Sequence, residues 1–376
     1  MHLKDITMGN RILTHVGGGR LDYIDIAKSL GMLTIIWGHV RLGDWSNAFV
    51  YAWHIPLFFV LSGMVFDKNR YANFSSFLLK KVKSLLIPYV IFSFLTWVIW
   101  AVFSFIIQVP IQSYWMPLAQ TFIAQGSGGF LVHNVPLWFV TCLFVMELLY
   151  YFIADLRRSW IIIVTILLAA LSYCLITYWT GWDVTLLPWN LEVACLGLPF
   201  YAVGHLIVQK WGHQSMQEKV SSHRGISVLL IMFLAVVVII GSNYNGSISF
   251  GHSDLGKNVF VSYACAFFGV SMMIIVSMLL TVSSWNQKNT LLMKVLKWFG
   301  RNSFIAMVIH NPIKGIVSVL VGKIFQCSVS VVSHNYLYSS VVFVITLVVT
   351  MFGIIIINWF EVVFKKRIEF RRHIAN

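Results

Sequence analysis

Charged residues are scarce in this chain. Only 11% of its 376 residues are Asp, Glu, Lys or Arg, whereas ordinary soluble domains carry about 25%. Hydrophobic residues make up 59% of the chain, and the mean hydropathy is +0.80. This composition excludes an ordinary soluble domain and predicts a protein that crosses a membrane several times.

Cysteine is also scarce, and its five positions follow no pattern. They are Cys142, Cys174, Cys195, Cys265 and Cys327. Metal and redox sites typically place two cysteines, or a cysteine and a histidine, a few residues apart. We therefore expect neither a metal site nor a redox pair, and we interpret all five as small hydrophobic residues.

Long apolar runs are abundant between Asp25 and Val363. A helix that crosses the hydrocarbon core needs roughly 20 mainly apolar residues, and ten segments meet this length. They are residues 25–43, 48–66, 82–107, 136–154, 160–179, 190–208, 226–242, 258–282, 303–325 and 336–363. The predicted fold is all-α, with a cytoplasmic segment at 1–24, a ten-helix membrane domain at 25–364 and a basic tail at 365–376.

The net charge of +14 follows from an excess of Lys and Arg, 27 against 13 acidic residues. Most of these basic residues fall in the loops on one side of the predicted bundle. Short loops rich in Lys and Arg stay in the cytoplasm, so both termini are predicted to be cytoplasmic, in a plasma membrane of bacterial type. Topology thus accounts for the charge, and we expect no nucleic-acid partner.

Ionisable side chains inside apolar segments are costly and are therefore functional candidates. The candidates here are Asp25, Lys28, His39, His54, Glu147, Glu192, His205, His310, Lys314 and Glu361. His205 and Glu361 lie near segment ends, which favours structural roles. Glu147 lies within its segment, where structural pairing and function are equally open.

One face of the first segment carries Asp25, Lys28 and His39. On an ideal helix Lys28 and His39 point within roughly 20° of each other, and a rise of roughly 16 Å separates them. A short loop joins the first two segments, which places His39 and His54 at similar depth on the outer side. A lone histidine in a membrane segment is usually a structural hydrogen-bonding group. Two histidines at the same membrane depth can instead share a reaction, one as the general base and the other as a group that positions the substrate.

Six sequence blocks, in this order, resemble a known family. They are RLDYIDIAKSLGMLTIIWGHV (20–40), FVYAWHIPLFFVLSGMVF (49–66), FLLKKVKSLLIPYV (77–90), PLWFV (136–140), LPWNLEVACLGLPFYAVG (187–204) and GRNSFIAMVIH (300–310). The resemblance is to the acyltransferase 3 family of integral membrane acyltransferases, in its branch of fucose 4-O-acetylase-like sugar acetyltransferases.

The resemblance implies ten membrane helices and transfer of an acetyl or similar acyl group. The donor would be cytoplasmic acyl-CoA, with acetyl-CoA as co-substrate, and the acceptor a hydroxyl of a surface or lipid-linked glycan at the outer face. Carried onto this chain, the catalytic histidine falls on His39 and the histidine of the second motif on His54. The arginine before the first helix falls on Arg20, and the late histidine on His310.

The remaining assignments complete the predicted site. The residues assigned to acyl-CoA are Arg20, Lys28, Lys80, Lys81, Lys83 and Arg301. Those assigned to the substrate or the oxyanion are Asp25, Glu147, Glu192, His310 and Asn311. The chain departs from the family in two places, with lysines where many members have arginines before the third helix, and Glu192 where aspartate is expected. Topology alone would explain those lysines equally well.

A transporter is the alternative interpretation. Proton-coupled secondary transporters and lipid-linked sugar flippases also use His, Glu and Lys within membrane helices. No internal repeat is visible in the sequence, which favours the acyltransferase. The expected partners are a carbohydrate acceptor and membrane lipid, and the sequence indicates no oligomeric state.

Overall fold

The computed structural model describes residues 15–16, 19–108, 110–126, 128–178 and 187–375, with side chains from 21 to 363 except Trp45 and Ser284. A short antiparallel pair, β1 (His15–Val16) and β2 (Gly19–Arg20), precedes the helices. The helices in chain order are α1 (Asp22–Val40), α2 (Asp44–Tyr51), α3 (His54–Met64), α4 (Phe74–Lys81), α5 (Ile87–Ile106), α6 (Met116–Gln120), α7 (Trp138–Ile153), α8 (Arg158–Tyr178), α9 (Leu191–Trp211), α10 (His213–Ser222), α11 (Arg224–Asn245), α12 (Val259–Thr281), α13 (Ser284–Gln287), α14 (Leu291–Arg301), α15 (Ser303–Ile324), α16 (Val329–His334) and α17 (Tyr336–Ala375). A π-helical turn, Val82–Leu86, joins α4 to α5.

In this part of the chain, nine helical stretches are long and apolar enough to cross a membrane. They are Ser46–Met64, Phe74–Ile106, Val135–Ile153, Arg158–Tyr178, Pro188–Trp211, Arg224–Asn245, Val259–Thr281, Ser303–Ile324 and Tyr336–Val363. A helix satisfies its own backbone hydrogen bonds, which lipid cannot do. These stretches match nine of the ten predicted segments, so the prediction of an all-α, polytopic membrane protein is confirmed.

Helix α1 differs from the other predicted segments. It forms the helix expected for residues 25–43, but it is not among the nine apolar stretches. Its polar residues Asp22, Asp25, Lys28 and His39 lower its hydropathy. Helices α3, α12, α14, α15 and α17 pack around it, and Asp25 and Lys28 are 0% and 9% exposed. Because protein rather than lipid surrounds α1, the helix can carry this polar face.

Two glycines allow α3 and α9 to pack with their backbones in contact. A Cβ on Gly63 would lie 1.9 Å from the Tyr201 carbonyl oxygen, and one on Gly204 would lie 2.1 Å from the Val60 carbonyl oxygen. Small residues are what permit such close approach of membrane helices. This contact holds α3, which begins at His54, firmly against the rest of the bundle.

The two ends of the bundle differ in chemistry. We call the end where α1 begins the basic end, because α1 there meets Lys297 and Arg301 of α14. Helices α1, α11 and α15 all run from this end, and α17 runs back towards it. We call the opposite end the cavity end, because a cavity of about 660 Å³ lies there beside Gly38 and Tyr336. The predicted cytoplasmic side corresponds to the basic end.

Candidate functional site

Two histidines face each other near the cavity end. His39 lies in the last turn of α1, and His310 lies in α15; their ring centroids are 5.2 Å apart with the ring planes at 45°. His310 is fully buried, whereas His39 is partly exposed. The sequence predicted a role for each residue, and the structure brings the two rings together across 271 positions of the chain because α1 and α15 are parallel neighbours.

The ring of His310 has a defined orientation. Its Nδ1 lies 3.0 Å from the Ala306 carbonyl oxygen, one turn earlier in α15. A carbonyl accepts only, so Nδ1 carries the proton and donates it, which leaves the lone pair on Nε2. This buried Nε2 has no hydrogen-bond partner among the residues that the structure describes. An imidazole held in this way presents one free acceptor nitrogen.

His54 is held by the same device. It is the first residue of α3, after a break at Ala52 and Trp53 that separates α3 from α2. Its Nδ1 lies 2.7 Å from the Val50 carbonyl oxygen, so this histidine also donates from Nδ1 and keeps its lone pair on Nε2. The Tyr51 ring packs edge-on against it at 4.8 Å between centroids.

The three histidines form one group, which we call the histidine centre (His39, His54 and His310). His54, His310 and Lys314 all interact electrostatically with His39, so each of these side chains lies near it. The predicted pairing of His39 with His54 is therefore extended by a third ring. The break between α2 and α3 places His54 inside the bundle and not at its surface.

The cavity lies directly beyond this centre. Its lining is polar and comes from the end of α1, from α2, from the end of α11 and from the loop before α12, with α16 and α17 closing it. Tyr51 links the cavity to the centre, because it lines the first and contacts His54 in the second. A Cβ on Gly38 would lie 2.6 Å from the Tyr51 ring, so the glycine before His39 makes room for this contact.

At the basic end, α1 is tied to α14 by ion pairs. Arg301 Nε lies 3.2 Å from the buried carboxylate of Asp25, and Lys297 Nζ lies 3.1 Å from Asp22. A Cβ on Gly300 would lie 1.7 Å from the Asp25 carbonyl oxygen, so the two helices touch through their backbones. Arg301 and Asp25, which the sequence assigned to different parts of the site, thus contact each other about a helix length from the histidine centre.

A second ion pair joins two further predicted residues. Lys81 Nζ lies 2.8 Å from Glu147 Oε1, and both side chains are almost fully buried. The sequence assigned Lys81 to acyl-CoA phosphates and Glu147 to the substrate, whereas the structure pairs them with each other. Lys80 is exposed and lies 5.8 Å from the Tyr71 ring, and Lys83 is half-buried. Only these last two lysines of the group are open to solvent.

Glu192 lies apart from the histidine centre. Its Oε2 accepts a hydrogen bond of 3.0 Å from the Leu187 backbone N–H, and its backbone carbonyl accepts one of 2.8 Å from Ser172. Its electrostatic neighbours are Cys142 and Cys195. The contacts of Glu192 therefore organise the start of α9. Asn311, half-buried, directly follows His310, and the side chain of Arg20 lies outside the part that the structure describes.

The family comparison bears on this arrangement. The acyltransferase 3 model, described as an acyltransferase domain, matches residues 21–359, which include all nine apolar helices except the last turn of the final one. The chain belongs to the acyltransferase 3 family. Neither the curated proteins nor the solved structures contain a match to it.

Membership of acyltransferase 3 makes this chain a multi-pass membrane acyltransferase. Acyl transfer to a nucleophile needs a base that takes its proton and donors that stabilise the oxyanion. The histidine centre of this acyltransferase offers imidazole nitrogens that can accept such a proton. Two residues beside it, Arg41 and Lys314, were not assigned to the predicted site, although Lys314 stands out in the sequence as a lysine inside an apolar segment.

Proposed function

We propose that this acyltransferase moves an acetyl or similar acyl group from acyl-CoA, bound at the basic end, to a hydroxyl of a surface or lipid-linked glycan bound at the cavity end. It would act in the plasma membrane, with the basic end in the cytoplasm as the distribution of Lys and Arg predicts. The likeness to fucose 4-O-acetylase-like enzymes in the six sequence blocks supports a sugar as the acceptor.

The observation that carries this proposal is the position of the histidine centre. His39 and His310 face each other at 5.2 Å, and Tyr51, which packs against His54, lines a cavity of about 660 Å³. A cavity of this size, lined by amides, hydroxyls and imidazoles, suits a sugar unit. A hydroxyl held beside Tyr51 would approach the ring nitrogens of the centre, whereas the bulk of a polymeric or lipid-linked acceptor would stay outside.

The transfer conserves protons within the site. His39 takes the proton of the acceptor hydroxyl as the oxygen attacks the thioester carbonyl, which forms a tetrahedral intermediate. Collapse of the intermediate breaks the carbon–sulfur bond, forms the ester, and returns the proton from His39 to the departing thiolate. His54 and His310, whose Nε2 atoms accept, would position the hydroxyl, and the side-chain amide of Asn311 beside them would donate to the oxyanion.

The donor would reach this centre along α1. Lys28 and His39 share one face of α1, and the rise between them is roughly 16 Å, which suits the long, thin pantetheine arm of acetyl-CoA. At the basic end, the exposed Lys80, the half-buried Lys83 and the partly exposed Arg301, which also pairs with Asp25, can meet its phosphates. Arg20 remains assigned to them by resemblance. Lys81 is engaged with Glu147 and would act on this part of the site through that pair.

The test uses the purified full-length protein in lipid nanodiscs, labelled acetyl-CoA, and glycan from cells that carry or lack the gene. We expect His39→Gln to lower transfer by roughly 10²–10⁴-fold, the usual contribution of a general base. His223→Gln changes an exposed histidine at the basic end and serves as the matched control. Full transfer by His39→Gln, at an unchanged amount of folded protein, would exclude His39 as the base.

Mass spectrometry of surface glycans from the same cells identifies the product. An ester with the mass of acetyl, present only with the active protein, would support the proposal, and the mass of any other ester would name a different acyl donor. Absence of any gene-dependent ester on glycan, with transfer to a membrane lipid instead, would overturn the proposed acceptor class.

A further inference from the structure

Two cations lie just beyond the histidine centre, on its cavity side. Lys314 follows His310 by four residues in α15, so it lies on the same helix face and about 6 Å nearer the cavity end. Arg41 follows His39 by two residues and lines the cavity itself. Lys314 acts electrostatically on both His39 and His310, and Arg41 acts on Lys314. The two cations therefore share one region between the centre and the cavity.

Neither cation is neutralised by an ion pair among the residues that the structure describes. Asp44 also lines the cavity, but it forms no ion pair with either of them. A lysine inside a membrane span is costly unless an opposite charge approaches it, and a second cation nearby adds to that cost.

The backbone holds Arg41 at the cavity. Arg41 ends α1 in the left-handed conformation, with φ at 59°, and its N–H donates to the Gly38 carbonyl oxygen at 3.2 Å. This conformation is uncommon for a residue other than glycine or asparagine. The chain then turns through Gly43, where a Cβ would lie 2.6 Å from the Tyr336 ring. The tight turn leaves the arginine in the cavity wall.

We propose that the acceptor carries an anionic group, a carboxylate or a phosphate ester, which binds between Arg41 and Lys314. This inference rests on the proposed function and adds the charge of its acceptor. The arginine fork can grip two oxygens of such a group, and lysine adds a point charge. Asn47, Ser242 and Asn243 in the cavity wall supply neutral partners for the sugar hydroxyls. Anion binding would set the hydroxyl to be acylated against the histidine centre.

The experiment measures binding without any acyl donor. Full-length protein in phosphatidylcholine nanodiscs is titrated with glucuronate, inorganic phosphate or glucose at constant ionic strength, by calorimetry and by the shift in Tm. We expect glucuronate or phosphate to bind, and glucose to bind at least about tenfold more weakly, because a charge-assisted contact is lost. Binding of glucuronate alone identifies a carboxylate as the anion, and binding of phosphate alone identifies a phosphate ester.

Variants locate the bound anion. Lys314→Gln and Arg41→Asn should each weaken anion binding at least about tenfold, with glucose binding unchanged, and Lys314→Arg should restore most of it. Lys323→Gln, at an exposed position near the end of the same helix, is the matched control. If Lys314→Gln does not fold, Arg41→Asn still decides, because asparagine adopts the left-handed conformation readily.

Two results would overturn the inference. One is equal binding of glucose and both anions; the other is anion binding that Arg41→Asn and Lys323→Gln change to the same extent. The transfer assay separates this inference from the proposed function. Acyl transfer to a neutral glycan, together with no anion binding, would contradict only the inference. Anion binding at Arg41 and Lys314, together with no acyl transfer to any glycan, would contradict the proposed function.

Discussion

Replacing Glu147 by glutamine should strongly destabilise this protein. Glu147 is 1% exposed and its partner Lys81 is 7% exposed, at 2.8 Å. Glutamine keeps the shape and removes the charge, which leaves the lysine ammonium buried without a counter-charge. Breaking a buried pair from one side costs about 3–5 kcal/mol, a large fraction of the stability of an ordinary protein.

The chain offers a matched control for this change. Lys68 and Asp155 form an ion pair at the same end of the bundle, but their side chains are 24% and 71% exposed. Solvent screens such a pair, and its net contribution is about 0–1 kcal/mol. Asp155→Asn removes one charge by the same isosteric step as Glu147→Gln. The difference between the two variants therefore measures the effect of burial.

The assay is the free energy of unfolding in mixed micelles, followed by circular dichroism. A double variant, Lys81→Met with Glu147→Gln, should recover much of the loss, because it removes the stranded ammonium. If Glu147→Gln costs no more than Asp155→Asn, the pair is not buried as described and the reasoning fails. Lys80→Gln gives a further contrast, since this exposed lysine can lower acyl-CoA affinity without lowering stability.

Two further predictions concern packing and pH. Gly63→Ala should prevent correct packing of α3 on α9, because its Cβ would lie 1.9 Å from the Tyr201 carbonyl oxygen. Gly315→Ala is the control, because a Cβ there meets nothing within 4 Å. This change should be neutral or should stabilise the protein by up to about 1 kcal/mol. Size-exclusion profiles and Tm compare the two, and equal behaviour would contradict the close contact. Burial lowers the pKa of His133, in the loop before α7, from 6.5 to about 4. The unfolded chain then binds the proton first as the pH falls, so stability should decline from pH 6.5 to about 4, by up to about 3 kcal/mol. His133→Asn should flatten this decline of Tm and His223→Asn should not; a decline unchanged by His133→Asn would exclude burial of His133 as its cause.

The membrane helices were predictable because their signal is local. Each needs only a run of apolar residues of sufficient length, and nine such stretches lie where the sequence placed them. The local apolar signal is weaker for α1, because its polar residues, among them Lys28 and His39, lower its hydropathy. Its enclosure by neighbouring helices is a property of the tertiary packing and leaves no mark in its own composition.

The histidine centre was also predicted only in part from the sequence, and its packing decided the rest. The sequence predicted a short loop at residues 44–47 and, from it, His39 and His54 at similar depth. In the structure these residues begin α2, the turn lies at 41–43, and His54 interacts electrostatically with His39. The resemblance pointed to His310, but nothing in the sequence indicated that its ring would face His39. The same holds for Lys81 and Glu147, which are 66 residues apart and were assigned to different substrates.

The sequence by itself determined the class of protein, the order of the nine apolar stretches that the structure describes, and which polar side chains had to be sheltered from lipid. Those properties depend on composition and on helical periodicity, which each segment carries alone. Only the tertiary structure decided which sheltered groups meet: Asp25 with Arg301, Lys81 with Glu147, and His39 with His310. Partner choice depends on how neighbouring helices pack, through contacts as specific as Gly300 against the Asp25 backbone, and helix packing is a property of the whole bundle.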